Sequence, residues 1–357
     1  MSVSAALGEL REVRVTGATL RYREVGEGPP LLFVHGLLVN GDLWRKVVPL
    51  LSSRFRCVTP DLPLGAHQLA VDDREQLSPR AVARMLSDLV TALRLDGVTV
   101  VANDTGGAIA QLLVTEHPGT VSRLVLTPCD CFENFLPPAF KPLQVLGRSA
   151  AFWWLAGQAL RPRFLLRTPM AFGLLMHGAP PREIADSWLG PVRRSRAIRR
   201  DVAAFVRRID SRDTVAAGER LHQFGGPVLI AWSEGGAGFP RSYGVRLAQA
   251  FGANARLEVV AGSRTFIPED RPQELAALIA EFATPGSNAR AVAGAGGAQP
   301  TSEPDTTAAP SSERMALSMA GSQPTRERKA STTSGSNWVV RWMRSSSTTS
   351  SGLRAGA

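Results

Sequence analysis

Long apolar runs are missing from this 357-residue chain. No stretch reaches the roughly 18 apolar residues that a bilayer-spanning helix needs. The first ten residues, Met1-Ser-Val-Ser-Ala-Ala-Leu-Gly-Glu-Leu10, have no basic region followed by an apolar core of the kind a secretory leader carries. A cytoplasmic location and no membrane partner are therefore expected. Cysteine is scarce: Cys57, Cys129 and Cys131 are too few for a disulfide framework. Cys129-Asp-Cys131 has no Cys- or His-rich segment at ligand spacing elsewhere, so free thiols are expected, with no metal and no cofactor. Histidine is limited to His35, His67, His117, His177 and His222, and tyrosine to Tyr22 and Tyr243. Any imidazole or phenol chemistry must draw on these few positions.

Charge is plentiful but uneven. The formal net charge is +10, and residues 141–222 carry 15 Lys and Arg against 6 Asp and Glu. Much of that excess lies between Arg193 and Ile209, where Ile198, Val202, Phe205, Val206 and Ile209 form one apolar stripe with arginines on the other side. A solvated helix face is the simplest reading. No aromatic platform accompanies the basic residues, so nucleic-acid binding is not expected. Residues 284–357 are dominated by Ser, Thr, Ala and Gly without apolar periodicity. Such a segment cannot repay its ordering entropy and is expected to be a disordered basic tail.

The segment Val98-Thr-Val-Val-Ala-Asn-Asp104-Thr-Gly-Gly107 is the most informative feature. It reads as a buried strand that turns sharply into a helix with a carboxylate at the apex. Ala102, Gly106 and Gly107 let strand and helix backbones close tightly enough to force the apical side chain outward, the logic of a nucleophile elbow. An aspartate with an ordinary pKa of roughly 3.9 is already anionic at neutral pH and attacks an sp3 carbon without a base. The plainer role for Asp104 is to cap the next helix. Around it, strands are predicted at 11–16, 18–25, 31–35, 56–60, 98–102, 122–127, 226–232 and 256–260. Helices are predicted at 42–51, 79–94, 105–117, 241–252 and 271–283. This alternation is that of a mostly parallel sheet covered on both faces. From Cys131 to Gln223 the alternation stops, and prolines divide a helical stretch.

The run Leu31-Leu-Phe-Val-His35-Gly36, the strand ending at Asp61 and the Asp104 elbow together resemble the α/β-hydrolase family over residues ~11–130 and ~226–283. The resemblance implies an α/β-hydrolase core at 1–131 and 224–283, with a helical cap at 132–223 roofing a pocket over Asp104. It also implies oxyanion donation by the N–H groups of Leu37, after His35-Gly36, and of Thr105. The usual catalytic acid ahead of Pro240 is absent, since Gly236 stands there, with Glu234 two residues upstream. The acid is instead expected at Asp130, with Glu133 behind it. The family's histidine falls on Thr265 in Ala261-Gly-Ser-Arg-Thr265-Phe266, which leaves the general base unassigned. His67 is the first substitute, while His35 and His117 read as structural.

Two Asp-nucleophile branches are similar to this elbow. Haloalkane dehalogenases place a Trp after the nucleophile and often an Asn soon after His-Gly, where this chain has Thr105 and Leu37. An indole N–H from Trp153, Trp154 or Trp188 remains available for the leaving group, with Trp154 as the candidate. Epoxide hydrolases use cap tyrosines, and neither Tyr22 nor Tyr243 lies in 132–223. The expected function is hydrolysis of a small, largely apolar substrate through Asp104. The alternatives are a ligand-binding protein that has lost the triad and a non-hydrolytic enzyme using Asp104 as general base.

Overall fold

The computed structural model describes residues 4–284 apart from 170 and 237. The tail expected to be disordered lies, beyond Thr284, outside the described residues. Eight strands, β1 (Glu9–Val15), β2 (Ala18–Val25), β3 (Pro30–Val34), β4 (Arg56–Asp61), β5 (Thr99–Asp104), β6 (Arg123–Cys129), β7 (Val228–Ser233) and β8 (Ala255–Val260), build one sheet. Its order is β1-β2-β4-β3-β5-β6-β7-β8. The β1–β2 and β2–β4 pairs are antiparallel and the remaining pairs parallel. Every strand falls within a few residues of its predicted position. β5 is buried at all its positions, as expected of a central parallel strand covered on both faces.

Three helices precede β6: α1 (Val48–Leu51), α2 (Pro79–Ala92) and α3 (Thr105–Glu116). The helix predicted over 42–51 is interrupted. A 3-10 turn, Gly41–Trp44, comes before α1, whose Pro49 has no N–H to offer the carbonyl of Arg45. Between β6 and β7 the chain runs through α4 (Pro142–Leu146), α5 (Ala150–Ala159), α6 (Arg182–Arg194), α7 (Arg196–Arg207) and α8 (Ser211–Arg220). Ser195 ends α6 and caps α7 by accepting from the Ile198 N–H at 3.3 Å. The stripe evident in the sequence lies on the buried side of α7 and just beyond it, while Arg193 and Arg194 close α6. The chain continues through α9 (Arg241–Phe251), α10 (Ile267–Asp270) and α11 (Pro272–Ala283).

Two apolar cores flank the sheet because successive strand residues point to opposite faces. Leu32, Val34, Val100 and Ala102 pack with α2, α3 and α7 on one side. Leu31, Phe33 and Val101 pack with α1 and α11 on the other. Cys57, Cys129 and Cys131 are free and buried, as expected. No described helix is long and apolar enough to cross a membrane. No described group of three or more His, Cys, Asp or Glu is placed to hold a metal ion.

Candidate active site

Asp104 stands at the junction of β5 and α3 with φ 56° and ψ −135°, a positive-φ conformation that L-residues rarely adopt. Its side chain makes no cap hydrogen bond to α3, which sets aside the plain capping role. The glycines around it show why the turn holds. A Cβ on Gly106 would sit 2.5 Å from the His35 carbonyl oxygen, and one on Gly107 would sit 2.2 Å from the Cys129 Cβ. A Cβ on Gly36 would meet the Asp104 carboxylate oxygen at 2.1 Å. The elbow thus closes against the β3 loop on one side and the end of β6 on the other.

The loop after β3 is fixed from beneath by His35. Its Nε2 accepts from the Leu62 N–H at 2.9 Å, so Nδ1 carries the proton and donates to the Gly36 carbonyl at 2.9 Å. Burial pushes this imidazole down to about 4, which keeps it neutral. Leu38 comes two residues later at φ 59°, held by a hydrogen bond from its N–H to the Leu64 carbonyl at 2.9 Å. In this arrangement the N–H groups of Thr105 and Leu37 face the Asp104 carboxylate and favour its charged form.

Burial dominates the electrostatics and lifts Asp104 to about 7 against the pull of those two N–H groups. The sequence expectation of an ordinary, fully ionised aspartate is corrected here. Asp130, at the end of β6, is likewise raised by burial and by the charge of Asp104, with the Thr105 hydroxyl opposing. Thr105 Oγ1 donates to Asp130 Oδ2 at 3.0 Å, and the Asp130 N–H reaches the Asp104 carbonyl at 3.3 Å. The second oxygen, Oδ1, is buried without a hydrogen-bond partner among the described residues. Thr265 is buried as well. Its carbonyl accepts from Asn103 Nδ2 at 2.8 Å, which packs the loop after β8 against the elbow, and its hydroxyl has no described partner.

A cavity of about 290 Å³ opens above Asp104 and Thr105. Its other walls are apolar. Leu37 and Leu38 come from the β3 loop, Trp153 and Ala156 from α5, and Leu189 from α6, with Phe172 between those two helices. Among the described residues, Asp104 and Thr105 supply the only carboxylate and hydroxyl of the lining. Gly36 and His35 position the loop from below.

Other candidates lie elsewhere. His67 is not in the lining. Its Nδ1 accepts from the Gly65 N–H at 3.2 Å, and its Nε2 faces Asp201 at 3.3 Å. Trp154 is half exposed and turned away from the cavity, while the adjacent Trp153 lines it with its N–H already given to the Gly147 carbonyl. Glu133 is an exposed partner of Arg246, and Glu234 is exposed.

Two polar links have no signature in the sequence. Asp201, on the otherwise apolar side of α7, gathers His67, the Val71 N–H and Arg74. Ser187 of α6 donates to Asp42 Oδ2 at 2.6 Å and accepts from Asn40 Nδ2 at 2.9 Å, which ties the inserted helices to the loop after β3. His67 and Asp201 are 134 positions apart and Asp42 and Ser187 are 145 apart, so no local pattern announces either link.

A sequence model of the family described as the alpha/beta hydrolase fold matches residues 29–272. The chain is 27% identical over 270 residues to haloalkane dehalogenase 2 of Mycobacterium bovis, covering 73% of this chain and 90% of that protein. It is also 34% identical over 120 residues to a 2-hydroxy-6-oxo-6-(2'-aminophenyl)hexa-2,4-dienoic acid hydrolase of Metapseudomonas resinovorans, covering 32% and 41% of the two chains. The match to an uncharacterised Mycobacterium bovis protein, 35% over 112 residues, spans about a third of either chain. Among solved structures, a haloalkane dehalogenase of Bradyrhizobium elkani superposes with a TM-score of 0.65 at 20% identity, covering 79% of this chain and 99% of that one. An alpha/beta hydrolase fold protein from Burkholderia ambifaria gives 0.64 at 21%, covering 75% and 96%.

Proposed function

Because this chain belongs to the alpha/beta hydrolase fold family, we propose that it is a hydrolase whose Asp104 attacks a small, largely apolar substrate held beneath a cap formed by α4–α8. The observation that carries the reading is the Asp104 carboxylate at a positive-φ elbow on the floor of an apolar cavity, facing two backbone N–H donors. On a haloalkane, an Asp104 oxygen bonds to the sp3 carbon while the carbon–halogen bond breaks and halide leaves with the electron pair. The product is an alkyl ester of Asp104. When water adds to the ester carbonyl, the negative charge develops on the Asp104 oxygen that the Leu37 and Thr105 N–H groups address.

The second step needs a base. No histidine is among the described residues lining the cavity. Thr265 is no base at neutral pH, although its hydroxyl and Asp130 Oδ1 both lack described partners and suit the holding of a water. Ester formation therefore outruns its hydrolysis. Intact-protein mass spectrometry after incubation with 1-bromohexane is expected to show one added hexyl group. Thr265→His is expected to shorten the lifetime of the adduct if a carboxylate such as Asp130 orients the new ring. Rapid wild-type turnover without an adduct would assign the base to another residue. Absence of both adduct and turnover would move the reading to a ligand-binding protein, the alternative that the histidine-free lining favours.

The raised pKa of Asp104 gives the first step a pH signature. Only the carboxylate attacks, so alkylation is expected to rise about tenfold per pH unit below 7 and level off above about 8. A rate already flat from about pH 5 upward would mean that Asp104 ionises at its ordinary value.

A further inference from the structure

A second and larger recess, about 570 Å³, lies on the inserted helices and is lined by neither Asp104 nor Thr105. Its rim is formed by Arg161, Arg163, Arg182 and Arg194. All four side chains are exposed, and among the described residues none of them meets a carboxylate. The one acid in the described lining, Asp186, is engaged by Arg193 Nη1 at 2.7 Å. Arg193 is also consumed structurally: Nε donates to the Gly157 carbonyl at 2.8 Å and Nη2 to the Leu160 carbonyl at 3.3 Å. It thereby fixes the end of α5 against α6. The remaining four guanidinium groups form a concave field of one sign, which attracts and orients anions.

The recess borders the cavity over Asp104. Leu160 lines both, and α6 contributes Ala185 to the recess and Leu189, one turn on, to the cavity. Leu160 thus stands between a basic recess and an apolar chamber. We infer that the Arg161, Arg163, Arg182 and Arg194 recess receives the anionic head group of a small amphiphile whose apolar chain passes Leu160 into the cavity above Asp104. This substrate class depends on the nucleophile reading of Asp104 only for the chemistry after binding. A carboxylate, sulfate or phosphate head meets the same guanidinium chemistry. The neutral, apolar cavity walls account for the tail.

Octyl phosphate, 1-octanol and inorganic phosphate separate the parts, measured by titration calorimetry on the full chain. The wild type is expected to bind octyl phosphate about tenfold more tightly than 1-octanol, with the advantage shrinking as salt rises. Inorganic phosphate alone is expected to bind weakly. Arg161→Ala combined with Arg182→Ala is expected to erase the preference while leaving 1-octanol affinity unchanged, and exposed arginines leave the fold intact when truncated. Equal affinity for octyl phosphate and 1-octanol, or a preference that survives the double substitution, overturns the inference and leaves the Asp104 reading standing. Failure of both octyl ligands to bind overturns it too. Tight binding to phosphatidylglycerol vesicles without binding of octyl phosphate would assign the arginines to a lipid surface instead. Conversely, a preserved octyl phosphate preference with neither a bromohexane adduct nor turnover would remove Asp104 as nucleophile and keep the amphiphile site.

Discussion

Asp104→Asn is expected to abolish both the hexyl adduct and any turnover while making the protein more stable above neutral pH. Chemistry is lost because an amide oxygen does not displace halide at a useful rate, so activity should fall by at least about three orders of magnitude. The gain in stability comes from burial. The folded-state pKa of Asp104 lies near 7, above its ordinary value, so between roughly pH 4 and 7 the folded protein holds a proton that the unfolded chain has released. Stability contributed by this group is therefore present at low pH and is lost as pH rises through 7. Asparagine carries no charge to bury. The amide oxygen still faces the Leu37 and Thr105 N–H groups but attracts them less than a carboxylate does, so part of the gain is forfeited, and a net increase on the order of 2 kcal/mol at pH 8 is expected. Thermal unfolding of both proteins at pH 4 and pH 8 measures this. Equal shifts at the two pH values would show that the variant acts through backbone strain and not through charge.

The second large effect lies at Gly107, directly beneath the elbow. Its missing Cβ leaves room for Cys129, whose Cβ and Sγ would stand 2.2 and 2.5 Å from the added atom. Both partners belong to backbone segments locked by the sheet and by α3, so neither yields cheaply. Gly107→Val is expected to destabilise the fold by about 3 kcal/mol or more, through overpacking and through a β-branched residue in the first turn of α3. Denaturant unfolding monitored by fluorescence reads the loss. Cys129→Gly should restore part of it, because it removes the two clashing atoms. A Gly107→Val protein as stable as the wild type would mean that strand and helix pack more loosely than the elbow requires.

Much of the fold is legible from local pattern. The strands over Leu31–Val34 and Thr99–Ala102 are continuous apolar runs, and α2 announces itself with Ser78 ahead of Pro79 and a regular apolar face. The first helix departs from its predicted form because Pro49 sits inside an otherwise helical composition, and its missing donor splits the element into a 3-10 turn and a short helix. The site is half legible. Asp104, Thr105, Leu37, Gly36 and His35 come together because all five lie at or just beyond the ends of the adjacent strands β3 and β5. Trp154 and its neighbour Trp153 are indistinguishable by composition, and only the rotation of α5 turns one into the cavity and the other outward.

By itself the sequence determined the sheet, the elbow and the identity of the apical residue, because each depends on contacts between residues close in the chain or on the side-chain period of strands and helices. The resemblance read from it also implies that Thr265 stands where the family's histidine falls. Tertiary structure alone decided how Asp104 ionises, since burial is a property of everything packed around it and not of its neighbours in sequence. The same holds for His67, drawn to an Asp201 lying 134 residues away and so removed from the candidate bases lining the cavity. It holds equally for the four arginines from two stretches, the segment after α5 and the two ends of α6, that meet around one recess beside Leu160. Charge and apolarity are written residue by residue, but concavity and desolvation arise only when distant segments close on one another.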